Sequence, residues 1–95
     1  MNDLGKIFQF RKEVRFFDFE ESSFIIDISD SSLYNLGKSS ALIAANIDGT
    51  NNLNKIAEVI RSSYNVTEEE SGEVVLKLLS MLQQKNLVRE VLEFP

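Results

Sequence analysis

Apolar residues change their spacing once along this chain, close to Gly37. Before that point they fall in short runs rich in aromatic and β-branched residues. After it they recur every three or four positions. The first pattern belongs to strands and the second to amphipathic helices. Six of the nine aromatic residues stand before residue 25: Phe8, Phe10, Phe16, Phe17, Phe19 and Phe24. Strands and helices in separate blocks predict an α+β fold.

Residues 14–19, Val14-Arg15-Phe16-Phe17-Asp18-Phe19, predict a first strand. The polar cluster Glu20-Glu21-Ser22-Ser23 reads as a turn. Phe24-Ile25-Ile26-Asp27-Ile28 predicts a second strand, with Phe24, Ile26 and Ile28 on one face and Asp27 on the other. Ser29-Asp30-Ser31 is a second turn signal. Leu33-Tyr34-Asn35-Leu36 predicts a short third strand, stopped by Gly37. Two tight turns imply an antiparallel meander. Residues 1–12, with Gly5 and mixed polarity, read as a loosely attached arm.

Three helices follow. Ala41 to Ala45 comes after Ser39 and Ser40, either of which can cap a helix, and Asp48-Gly49 closes it. Leu53, Ile56, Ala57, Ile60 and Tyr64 carry helical spacing, with Asn51 or Asn52 as cap. Thr67-Glu68-Glu69-Glu70 predicts a capping box at the third helix, and its three acids suit the helix dipole. That helix should run to Gln84 or Lys85, with Asn86 as a left-handed terminator and a short closing strand over 87–91.

Composition excludes several chemistries. The chain has 95 residues, enough for one domain with one modest core. It has no Cys and no His. There is therefore no disulfide frame, thiolate nucleophile or zinc finger, and the usual general base at neutral pH is missing. The carboxylates of 20–21 and 68–70 are adjacent in sequence and do not face each other. The first pair sits in a turn and the second set at a helix start, so neither forms a catalytic pair or a metal site. The four glycines, at 5, 37, 49 and 72, are too scattered for a phosphate loop. No catalytic residue, metal ligand or cofactor is assigned. No apolar run approaches the roughly 20 residues of a membrane-spanning helix. The start of the chain lacks a signal-peptide pattern, so a cytoplasmic protein is expected. The net charge of −5 argues against a nucleic-acid partner.

Two surfaces stand out. On the third helix Val74, Val75, Leu78, Leu79, Met81 and Leu82 cover an arc of about 160°, wider than packing on one side needs. Either this helix is central and touches both the sheet and the other helices, or one margin lines a groove. The margin with Val74 and Met81 also carries Lys77 and Lys85, and Met suits an adaptable peptide-binding surface. The third strand, Leu33 to Leu36, lacks the Pro and most of the charge that blunt natural sheet edges. An unblunted edge beside an apolar helix margin is the geometry for strand addition by a peptide, unless the edge is too short to matter.

The segment Leu36-Gly37-Lys38-Ser39-Ser40-Ala41-Leu42-Ile43 resembles the Leu-Asn-x-Thr-x-Ala-x-Ile stretch of the PQQ-biosynthesis D proteins. Ile47-Asp48-Gly49, Leu53-x-x-Ile56-Ala57 and Tyr64-Asn65-Val66 resemble further motifs of that family. So does Leu78-Leu79-x-x-Leu82-x-x-x-Asn86-Leu87-Val88, and the likeness spans about residues 14–90. Gly37 and Asn86 depart from the family's Asn and Gly. The resemblance implies a winged-helix-like domain of three strands and three helices that acts as a peptide recognition element. Such a domain binds the leader of a ribosomally made precursor peptide as an added strand beside strand 3, against helix 3. On this chain that implies Leu33, Tyr34, Asn35, Leu36, Val74, Lys77, Leu78, Met81 and Lys85. Its enzyme partner would be a radical S-adenosylmethionine enzyme or a lasso-type leader peptidase.

A winged-helix DNA-binding regulator shares this topology. A recognition helix uses its N-terminal residues on bases and phosphates. Here those residues are Glu68, Glu69, Glu70 and Glu73, which repel phosphate.

Overall fold

The computed structural model describes residues 3–92. After a 3-10 turn at Asp3–Gly5 the chain runs through β1 (Phe8–Phe10), β2 (Val14–Asp18), β3 (Ser23–Asp27) and β4 (Ser32–Leu36). Then come α1 (Lys38–Ala45), α2 (Leu53–Ser63), α3 (Glu68–Gln84) and β5 (Val88–Glu90). The first, second and third strands expected from the sequence are β2, β3 and β4. They form one antiparallel sheet in the order β2-β3-β4, followed by three helices. The α+β reading holds.

Register is fixed by the pairs Phe16↔Ile25 and Ile25↔Tyr34 in the middle of the sheet. The alternation on β3 is as expected, and the buried face is the one that carries Asp27. Ile25 is fully buried, and Ser23 and Asp27 lie buried beside it, whereas Ile28 is 57% exposed. The polar pair tolerates burial because both residues are hydrogen-bonded. Ser23 Oγ donates to Asp18 Oδ1 at 2.6 Å, and Asp27 Oδ1 accepts from the Ser29 amide at 3.0 Å and the Ser29 hydroxyl at 2.5 Å.

One core of Ile25, Ile43, Leu53, Ile56, Val75, Leu79, Leu82 and Leu87 joins the inner face of the sheet to all three helices. Helix starts follow local chemistry. Asn52 Oδ1 accepts from the Lys55 amide at 2.9 Å, capping α2. Thr67 and Glu70 complete the capping box of α3, with bonds of 3.1 and 2.9 Å. At α1 the cap is Gly37, with no side-chain bond, so Ser39 and Ser40 do not serve as caps. Asn86 adopts φ 60° and ends α3 as expected.

The N-terminal segment is not a loose arm. From Asp3 to Phe10 it is docked; Met1 and Asn2 lie outside the described residues. β1 pairs antiparallel with β5, matching Phe8 with Glu90 and Phe10 with Val88. On its other side, Gly49 N–H donates to Phe8 C=O at 3.1 Å and Leu53 N–H to Lys6 C=O at 3.0 Å. Phe8 is 3% exposed and belongs to the core. A three-residue strand is too short to show periodicity, and its partner lies at the far end of the chain. Gly49 makes this docking possible. Its φ is +83°, and a Cβ there would sit 2.9 Å from the Gln9 side-chain amide.

Among the described residues no helix is long and apolar enough to cross a membrane.

Candidate functional site

β4 is the outer strand of the meander, paired on one side to β3. Which of its backbone groups face the open side follows from the ladder. Phe19 N–H donates to Ser22 C=O at 2.9 Å, and Ile28 N–H donates to Glu13 C=O at 2.8 Å. Bonded pairs alternate in an antiparallel ladder. Phe24 and Ile26 therefore bond toward β2, while Ser23, Ile25 and Asp27 bond toward Leu36, Tyr34 and Ser32 of β4. Leu33 and Asn35 are left with N–H and C=O aimed away from the sheet.

Side chains alternate with the backbone groups. Leu33 and Asn35 stand exposed on the outer face, whereas Tyr34 and Leu36 turn inward, half-buried against the core. The sequence did not distinguish the two pairs. A four-residue run carries no record of which neighbour its amides address; that requires the pairing of β2 with β3.

On α3, Val74, Lys77, Leu78, Met81 and Lys85 fall on one stripe. Leu78 is buried and Met81 half-buried against the core, while Val74, Lys77 and Lys85 are exposed. The C-terminal end of the stripe meets β4. Lys85 Nζ lies 5.2 Å from the centre of the Tyr34 ring. Lys77 and Val74 are about two and three turns further toward the start of the helix. The structure thus joins the two predicted surfaces at the Tyr34–Lys85 corner. α3 also packs against α2, and its Val75, Leu79 and Leu82 are buried in the core, so it is both central and exposed along one margin.

Charge is segregated along α3. Glu68, Glu69, Glu70 and Glu73 are all exposed in its first two turns, and Lys77 and Lys85 follow. Among the described residues no group of three or more acidic, His or Cys side chains could hold a metal ion. Among the described residues two carboxyls titrate low, both in turns. Hydrogen bonds from Ser32 lower Asp30, and the backbone amides of Asn51 and Thr50, with the Thr50 hydroxyl, lower Asp48. These are structural turns.

Two solved structures share this fold. One is described as lasso peptide synthetase B1 complexed with the leader peptide. It superposes with a TM-score of 0.77 at 17% identity, over 86% of this chain and 96% of that one. The other is described as TbiB1 in complex with the TbiA(beta) leader peptide. Its TM-score is 0.78 at 14% identity, over 85% of this chain and 94% of that one. No curated protein sequence matches the chain. A family model does, over residues 23–88, which is the stretch from β3 to the start of β5. The chain belongs to the coenzyme PQQ synthesis protein D (PqqD) family.

Proposed function

We propose that the chain is a non-catalytic module that binds the leader of a ribosomally made precursor peptide. The leader adds as a strand along Leu33–Leu36 and rests on the Val74, Lys77, Leu78, Met81 and Lys85 stripe. The observation that carries this reading is the outward aim of the Leu33 and Asn35 backbone groups beside that stripe. An added strand needs such groups for affinity and an apolar margin for side-chain specificity. Two proteins of the same fold, described with leader peptides bound, support the reading. The module then presents the peptide to a radical S-adenosylmethionine enzyme or a lasso-type leader peptidase.

Duplex DNA is a poor ligand for this chain. The exposed acids of the first two turns of α3 would face phosphates.

Calorimetry of the purified chain with the synthetic leader, in the presence of EDTA, tests the function. Binding without metal or nucleotide is expected. Affinity that requires a metal, or a gel shift with duplex at about 150 mM salt, would overturn it.

A further inference from the structure

The outward face of the β2-β3-β4 sheet is apolar, where a solvent-facing sheet surface is ordinarily polar. Phe17, Phe19 and Phe24 cluster there, with ring centres 5.3 Å apart for Phe17–Phe24, 5.9 Å for Phe19–Phe24 and 6.3 Å for Phe17–Phe19. Ile26 and Leu33 pair across the next row, and Ile28 extends it. Phe19 and Ile28 are both more than half exposed, and none of these side chains belongs to the core. A contiguous patch of this kind marks an interaction surface, whereas scattered apolar residues do not.

Charge at the border indicates what covers it. Glu20 and Glu21 stand exposed at one end and Asp30 at the other. Arg15 lies on this face, but its guanidinium donates to the backbone carbonyls of Lys12 and Val14. A second copy laid face to face would set acids against acids. Beside Phe19 the acidic end opens into a groove of about 740 Å3. Asp18, Glu20 and Glu21 line it together with Leu36 and Tyr64, and among the described residues Lys38 is the one cation that lines it.

We infer that this face docks a protein partner whose surface is apolar with Lys or Arg at one border, the cation seated in the acidic groove beside Phe19. The proposal rests on the peptide-module reading for its probe: the purified radical S-adenosylmethionine enzyme or leader peptidase that acts on the leader this chain binds. The test uses Phe19→Ser with Ile28→Ser, both exposed, and separately Glu20→Lys with Glu21→Lys. Enzyme affinity should fall about tenfold or more for the first pair, while leader affinity matches wild type. The charge variant should weaken the enzyme more at about 50 mM than at about 500 mM salt, which keeps the test open if the first variant misfolds. The proposal is overturned if the enzyme fails to bind wild type or binds both variants equally well. It is also overturned if sedimentation finds a wild-type dimer that Phe19→Ser with Ile28→Ser dissociates. Failure of the leader to bind wild type counts against the peptide module alone.

Discussion

The Lys85 ammonium sits over the Tyr34 ring, 5.2 Å from its centre, and ties the end of α3 to the outer strand of the sheet. Such a pair contributes about 0.5–1 kcal/mol at an exposed site. A double-mutant cycle with Tyr34→Leu and Lys85→Gln, read by urea denaturation, should return a coupling of about that size. Zero coupling would mean that the corner is held by packing alone.

The free edge makes two proline variants behave differently. Asn35→Pro removes a donor that points away from the sheet, so the chain should fold and bind leader more weakly by about 0.5–1.5 kcal/mol. Tyr34→Pro removes a donor to β3 and should destabilise the fold by about 1–3 kcal/mol. Circular dichroism and calorimetry separate the outcomes. Wild-type binding by a folded Asn35→Pro would move the leader off this edge.

Met81 and Lys77 report on the helix side. Met81→Ala should weaken leader binding by about 1–3 kcal/mol if this side chain anchors the peptide. Lys77→Glu should weaken an acidic leader, and less so at high salt. If both variants bind like wild type in titration calorimetry, the margin of α3 is not the seat.

Gly49, in the turn after α1, hydrogen-bonds the docked N-terminal strand through Phe8. Gly49→Ala should lower stability by roughly 1–3 kcal/mol, because φ is +83° there and a Cβ crowds Gln9. Gly49→Asn should cost less, since Asn tolerates a left-handed backbone. Equal urea midpoints for Gly49→Ala and wild type would contradict this account.

Asp48 titrates low because the folded turn donates to its carboxylate. Its pKa is depressed on folding, so its contribution is fully present above the ordinary value of 3.8. It is lost as pH falls through the folded value. Asp30 acts in the same direction. Asp48→Asn should lower the urea midpoint near neutral pH and flatten its decline in acid. An unchanged acid limb would refute the assignment.

Local signals in the sequence translated well into structure. The Thr67–Glu70 box, the Asn52 cap and the Asn86 terminator each depend on residues within one turn. The buried face of β3 was not legible, because Ser23 and Asp27 are made compatible with the core by Asp18 and Ser29. For the site, Leu33 to Leu36 and the α3 stripe were both readable as surfaces. Their junction at Tyr34 and Lys85 depends on tertiary packing.

The pairing of β1 with β5 bears on the order of folding. Phe8 and Glu90 come from opposite ends of the described chain, so their union closes a loop of nearly the whole described chain. Such a closure is entropically slow to reach without the intervening elements in place. The meander and the α2–α3 pair should assemble first, with the clasp fastening afterwards. Weakening it with Phe8→Leu would then speed unfolding and leave the refolding limb of a chevron nearly unmoved. A slowed refolding limb would place the clasp in the nucleus instead. A chain built this way can loosen at its ends while the edge of β4 and the stripe on α3 keep their shape.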